Sequence, residues 1–379
     1  MPSFLEELIA RLSGAEAAKP AGFFNWEQGT QIAQEAAPKR SSHYVFLGEA
    51  EDEPQLQEQA KRVLQQAKVN AQPEQFYGEL NGFSISLNET EATQLREIGL
   101  IKSVERDQPL PLTPPVDVQP VPTAPRQATA LDDLQQEVRL ENVRRGAAST
   151  AANAVYSDST ASSGEILTYG VQAVWGGEDI SERGNAGEGT YAFVIDSGVL
   201  DTTGDLLINK AWSKSWVSGE DAFTDGNGHG THVAGTIAAL ANGVGVVGVA
   251  PGAEVISLKV FDSDGGGASY GTIISAINHA VEIINSNGID KSKAVINMSL
   301  GGGFSAGLDA AVKNAADQGI RFSIAAGNSG DDADGYSPAS AGDHENVYTV
   351  SVVDNEYQMA SWSNWDDAAG GDDVDLAAP

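Results

Sequence analysis

Five nearly continuous apolar runs constrain this chain most. They are T-Y-A-F-V-I (190–195), E-V-I-S-L-K-V-F (254–261), K-A-V-I-N-M (293–298), I-R-F-S-I-A (320–325) and V-Y-T-V-S-V (347–352). A strand with one wet face alternates apolar and polar residues, whereas a strand covered on both faces has no reason to. Helical text lies between several of the runs, at roughly 230–241, 269–286 and 306–318. Alternation of strand and helix predicts an α/β fold, with a doubly wound, mostly parallel sheet flanked by helices. This texture begins near Gly164 and continues to Pro379.

A smaller unit precedes it, over about 42–110. S-H-Y-V-F-L-G reads as a strand. Asp52 and Pro54 then open a helix whose apolar residues Leu56, Ala60, Val63, Leu64 and Ala67 share one face. Phe76 and Tyr77 mark a second strand, and F-S-I-S-L a third after the Asn81-Gly82 turn. Asn88, with Glu91 three residues on, caps another helix, and I-K-S-V-E-R-D closes the unit as a strand. The order β-α-β-β-α-β predicts a ferredoxin-like α+β domain. Residues 1–41 read as an extension with a short amphipathic helix (Phe4, Leu5, Leu8, Ile9, Leu12), and 111–163 as a Pro/Ala/Ser-rich linker with a short helix from Leu131 to about Val143. The linker region opens with seven prolines in the seventeen residues 109–125, a run that resists both helix and central strand.

Composition removes several functions. Acidic residues number 53 against 22 basic, a formal charge of −31, which argues against a nucleic-acid partner. With no cysteine there is no disulfide, zinc–thiolate site or thiol nucleophile. No apolar run reaches membrane-spanning length. The first residues, with Glu6 and Glu7, lack the basic and apolar regions of a secretory signal.

Three short segments carry chemistry-bearing residues. Asp196 ends a buried strand, where a doubly wound sheet gathers its ligands, although a turn carboxylate is common there too. G-N-G-H-G-T-H-V-A-G-T places His229 at a helix start, with small residues around it that permit close backbone approach. His229 and His232 share a helix face, but the zinc-protease pattern needs a Glu after the first histidine and a spacing of four; Gly230 stands there instead, and His232 reads as a packed histidine. Asn328, in A-A-G-N-S-G, is either a plain turn residue or an amide donor aimed at developing negative charge.

Taken together and in order, these segments resemble the subtilisin-like serine endopeptidases, whose triad runs Asp, His, Ser along the chain. The resemblance covers about 164–379 and includes Y-G-V, G-V-A-P-G-A, V-I-N-M-S-L-G-G and D-V-D-L-A-A-P. It implies that His229 is the general base, Asp196 its orienting carboxylate and Asn328 the oxyanion donor. Ser299, Leu300 and Gly301 would form one edge for an extended peptide and Gly265, Gly266 and Gly267 the other side. Ala325, Ala326 and Gly327 would line the pocket before the cut. The unit at 42–110 resembles the family's inhibitory propeptide, which docks on two helices and leaves its tail in the cleft. The family usually passes almost directly from propeptide to enzyme, whereas Asp107 and Tyr169 are 62 residues apart here.

The family also implies structural Ca²⁺, held by the side chains of Glu165, Asp205 and Asn242 and the carbonyls of Leu240, Val244 and Val246, an oxygen set suited to calcium. Its members are mostly exported. One family feature is missing: the nucleophile text G-T-S-M-A occurs nowhere in the 379 residues, and Ser337, Ser340, Ser361 and Ser363 align with other segments. The resemblance therefore implies a peptidase domain incomplete at its C-terminus, unable by itself to hydrolyse peptides at a useful rate and exposing apolar surface. A catalytically inactive peptide-binding pseudoprotease is the alternative.

Overall fold

In a computed structural model, the structure describes residues 39–48, 50, 52–112, 158–161, 164–183, 185–366 and 373–379. The expected helices in the N-terminal extension and in the linker lie outside these residues.

The N-terminal unit has strands β1 (Ser41–Leu47), β2 (Pro73–Tyr77), β3 (Gly82–Leu87) and β4 (Ile101–Arg106), and helices α1 (Glu53–Gln66) and α2 (Glu89–Arg96). Its sheet runs β2-β3-β1-β4, with every pairing antiparallel, as the ferredoxin-like order requires. Asp52 caps α1 by accepting from Gln55 N at 2.8 Å, and Asn88 and Glu91 form a reciprocal capping box on α2. Leu56, Ala60, Val63 and Leu64 are all buried, so the helical face read from the text is the one that packs.

The larger sheet contains β5 (Tyr191–Asp196), β6 (Lys214–Ser215), β7 (Glu254–Lys259), β8 (Ala294–Met298), β9 (Arg321–Ala325), β10 (Val347–Val352) and β11 (Leu376–Ala378). Its order is β11-β10-β9-β8-β5-β7-β6, and all pairings are parallel. Helices α3 (His229–Ala238), α4 (Tyr270–Ser286) and α5 (Ala306–Ala316) connect and cover it. β5 is flanked by β7 on one side and β8 on the other, so the chain reverses its direction of travel across the sheet there. The carboxyl end of β5 is thus the topological switch point, where side chains from both halves of the sheet converge. Asp196 is the last residue of that strand.

The N-terminal unit has a core of its own, around Val45, Leu56, Val63, Phe83 and Leu95, and one side of the unit joins the core of the larger one. Tyr44, Phe46, Tyr77, Leu80, Leu110 and Leu112 belong to the same buried cluster as the inner faces of α4 and α5. Polar contacts follow: Asn314 donates to Leu80 O at 3.0 Å, and Gln318 donates to Glu79 O at 2.7 Å. Glu105 and Asp107 meet the N-termini of α5 and α4: Gly307 N donates to Glu105 at 2.7 Å and Gly271 N donates to Asp107 at 2.9 Å. Each carboxylate satisfies an orphan N–H and opposes the helix dipole. The N-terminal unit therefore docks on two helices, as expected from the sequence.

Candidate active site

β5 delivers Asp196 to the sheet rim with no solvent exposure, and α3 begins at His229 beside it. The His229 Nδ1 lies 2.8 and 2.9 Å from the two carboxylate oxygens. Gly230 makes this approach possible: a Cβ there would collide with Gly198 O and lie 3.1 Å from Asp196 Cβ. The small residues around the histidine thus have a definite object, the end of β5. The hydrogen bond that the ring donates to Asp196 raises the His229 imidazole above its ordinary 6.5; burial opposes this, and the charges of Asp196 and Asp225 support it. His232 is exposed, not packed as expected: the packed face of α3 carries Gly230, Ala234 and Ala238, and His232 lies two residues from Gly230 and Ala234, on the opposite side.

Asn328 lies three residues past the end of β9, in a sheet whose strands all run the same way, so it belongs to the same rim as Asp196. Its loop is pinned by Asn364, which is fully buried. Asn364 N donates to Gly327 O at 2.9 Å, and its side-chain oxygen accepts from Ser329 N at 2.8 Å. Gly327 has φ 114°, and a Cβ there would stand 2.5 Å from the Asn364 amide, so only glycine fits between them. Ala325 and Ala326 close β9 just before it, and Ala326 N donates to Val350 O at 2.9 Å. Asn364 carried no visible signal in the sequence, since its partners are backbone groups 35 residues away.

The expected cleft holds residues 108–112. Leu110 N donates to Ala268 O at 2.9 Å, Leu112 N to Gly265 O at 2.8 Å, and Tyr270 N to Gln108 O at 3.0 Å. Pro109 faces Ser269 in an antiparallel bridge. This is a strand added along an edge. The two N–H groups facing the wall belong to leucines, while the intervening Pro111 has none to offer. The edge differs in detail from the one read from the text. Gly265 takes part, but Gly266 and Gly267 form a turn around Asp262: Asp262 N donates to Gly266 O at 2.8 Å and Gly266 N donates back to Asp262 at 2.9 Å. Ala268 supplies the second carbonyl instead. On the opposite wall Leu300 is buried in the same cluster as Leu110 and Leu112. A Cβ on Gly302 would come within 2.6 Å of the Leu110 side chain. Ser299 and Gly301 flank Leu300, and among the described residues they make no hydrogen bond to the tail.

Among the described residues no serine hydroxyl bonds the His229 ring. Ser337 is engaged with the Ser305 backbone (N donating at 2.8 Å), Ser340 donates to Asp309 at 2.7 Å, and Ser363 accepts from Val352 N at 2.9 Å.

The proposed cation ligands also converge. Asn242 N donates to Glu165 at 2.7 Å, and its side-chain amide donates to Asp205 at 3.1 Å. Leu240 N donates to Asp205 O at 2.9 Å. Burial, together with the charges of Glu165 and Asp201, holds the Asp205 carboxyl above its ordinary value. The loop carrying Val244 and Val246 follows α3, which ends at Ala238, and beyond it Val249 N and Ala250 N donate to Thr236 O and Ile237 O in the last turn of the helix. Among the described residues no three His, Asp or Glu side chains could hold a metal together, so an ion here would need the loop carbonyls as well.

Comparison with known proteins places these features. The sequence model of the subtilase family matches residues 187–379, and that of peptidase inhibitor I9 matches residues 28–113. "Subtilisin-like protease 2" of Pseudogymnoascus destructans is 40% identical over 195 residues, 52% of this chain and 44% of that protein. "Subtilisin DY" of Bacillus licheniformis is 39% identical over 201 residues, 53% of this chain and 69% of that protein. A solved cold-adapted subtilisin-like serine proteinase is 34% identical, with a TM-score of 0.43 over 51% of this chain and 64% of that one. The chain spans about half the length of the fungal relatives it matches. Among the described residues no helix is long and apolar enough to cross a membrane. By the match of its family model over half its length, the chain belongs to the subtilase family.

Proposed function

We propose that these residues are the propeptide (42–110), linker (111–163) and Asp–His portion of the peptidase domain (164–379) of a serine endopeptidase made as a zymogen, after an extension over 1–41. The observation that carries this is the His229–Asp196 pair at the switch point, beside a cleft already filled by an extended segment of the same chain. Asp196 holds the Nδ1 proton and leaves Nε2 to take the proton of a serine nucleophile and pass it to the leaving amine. The buried carboxylate stabilises the imidazolium so formed. The Asn328 amide donates to the oxyanion, and loss of such a donor costs about 10²–10³ in turnover. Protein substrates extend along Gly265 and Ala268 on one side and Ser299, Leu300 and Gly301 on the other, with Ala325 to Gly327 beside the residue before the cut. The propeptide tail occupies that path and is the enzyme's own inhibitor.

Glu165, Asp205, Asn242 and the carbonyls of Leu240, Val244 and Val246 would hold a structural Ca²⁺. The site fits because a buried carboxylate, Glu165, and a partly buried one, Asp205, both meet Asn242, through its backbone N and its side-chain amide respectively, and the candidate ligands are all oxygens. Such an ion would clamp the loop that follows α3 onto the segment near Glu165. Export from the cell completes the proposal.

A second reading is a pseudoprotease that only binds extended peptides, and the observation behind it is the extended segment 108–112 bonded along Gly265 and Ala268. The two separate in one experiment on the whole protein. The endopeptidase reading expects hydrolysis of a peptide anilide and covalent labelling by a fluorophosphonate, both abolished by His229→Ala. Peptide binding without labelling or turnover establishes the other.

A further inference from the structure

Asp225 lies in the short loop before the His229 helix and is 8% exposed. It has four hydrogen-bond donors. Its Oδ1 accepts from Ser197 Oγ at 2.8 Å and Gly228 N at 2.9 Å, and its Oδ2 accepts from Thr231 N at 2.8 Å and Thr231 Oγ1 at 2.5 Å. The helix has Gly228 at its N-cap position and no side-chain cap there, so Asp225 does the capping from three residues upstream.

The partner that matters most is Ser197, the neighbour of Asp196. Ser197 N donates to Asp196 Oδ1 at 2.7 Å, its Oγ accepts from Gly230 N at 2.9 Å while donating to Asp225, and its carbonyl accepts from Lys259 Nζ. Thr231 adds a second tie, because its hydroxyl also accepts from Leu200 N at 2.9 Å. The residues on either side of the His229–Asp196 contact are therefore joined through one carboxylate. A rotation of α3 about its start would have to break bonds to Asp225.

We propose that Asp225 is a positioning residue for the Asp196–His229 pair: it sets the angle at which α3 presents the imidazole, and it places a second fixed negative charge behind the ring. The idea rests on the proteolytic reading only for its purpose, since the positioning can be measured without turnover. The charged groups around the ring are Asp196 and Asp225, while Lys259 is paired with Glu220 at 3.1 Å. Removing the Asp225 charge lowers the imidazole's proton affinity. Removing the Ser197 hydroxyl breaks the bridge between the two carboxylates but leaves the helix cap.

The test is an NMR titration of the His229 ring in the 379-residue chain, with the far-downfield Nδ1 proton as a second readout. Asp225→Asn should lower the His229 pKa by about half a unit or more and broaden or shift the downfield proton, with the melt retained. Asp225→Glu, which keeps the charge, should recover most of the titration shift. If Asp225→Asn does not fold, Ser197→Ala decides: its hydroxyl touches no reacting atom, and it should still disturb the downfield proton. A folded Asp225→Asn chain with unchanged titration and proton signal overturns the proposal, and so does an unchanged signal in Ser197→Ala. Inactivity of the whole protein on peptides would count against the proteolytic reading and leave this result standing.

Discussion

The carboxylate of Glu105, in the propeptide unit, accepts the backbone N–H of Gly307 at 2.7 Å, 202 residues further along the chain. The same carboxylate accepts from Ser305 Oγ at 2.7 Å, and Tyr44 lies against Gly307 so closely that a Cβ there would collide with the ring. Asp107 repeats the arrangement on α4 with Gly271 N at 2.9 Å and Ser269 Oγ at 2.9 Å. The propeptide thus completes two helices that would otherwise begin with unsatisfied donors.

Glu105→Ala and Asp107→Ala should each weaken docking by about 1–2 kcal/mol, as loss of a charged helix cap does. Urea melts of the single and double variants check this. The effects should nearly add, because the two caps share no partner. Gly307→Ala should weaken docking too, despite alanine's better helix propensity, because buried Tyr44 has no room to move.

His43 makes the N-terminal unit sensitive to acid. It is 1% exposed, its Nε2 has no partner among the described residues, and burial lowers its pKa below the ordinary 6.5; the neighbouring charges are Arg96, Arg106 and Glu89. Between the depressed folded value and 6.5 the unfolded state binds more protons, so this stability is present above about 6.5 and is lost as pH falls through the folded value. His279 acts in the same direction and His229, whose pKa is raised, in the opposite one. Protection factors over β1, taken relative to the intrinsic exchange rate at each pH, should fall between pH 7.5 and 5.5, about tenfold per 1.4 kcal/mol, and His43→Gln should flatten that response. Equal pH slopes in the two proteins would contradict it.

Leu110 anchors the tail. It is 1% exposed between Ala268 and Gly302, and burying such a side chain contributes roughly 2–3 kcal/mol. Leu110→Asp should release residues 108–112 from the cleft. Exchange at Leu112 N, now bonded to Gly265 O, should rise at least about tenfold while β5 and α4 stay protected.

Calcium should raise the melting temperature. At a free concentration a hundredfold above Kd, one bound ion adds about 2.7 kcal/mol. EDTA should remove the shift, and Asp205→Ala should leave the melt indifferent to both. A melt unaffected by EDTA in the unaltered chain would remove the calcium proposal.

Much of this was legible in the text because it depends on local pattern. Continuous apolar runs marked β5, β7, β8, β9 and β10, since a strand covered on both faces has no polar side to show. Asn88 and Glu91 announced their capping box because both partners lie within one turn. His229 and Asp196 were found through motif order, although nothing local ties residues 33 apart.

The sequence by itself determined the main elements, their order and the residue types able to do chemistry, because these follow from side-chain period, caps and turn residues; the short strands β6 and β11 carried no such run. Only the tertiary structure decided that Asp225 joins α3 to the end of β5, that Asn364 fixes the Asn328 loop, that Ala268 rather than Gly266 faces the tail, and that His232 is exposed. Each of these depends on where a backbone N–H or carbonyl from a distant segment arrives. The backbone is the same at every position, so no side-chain letter records its partners.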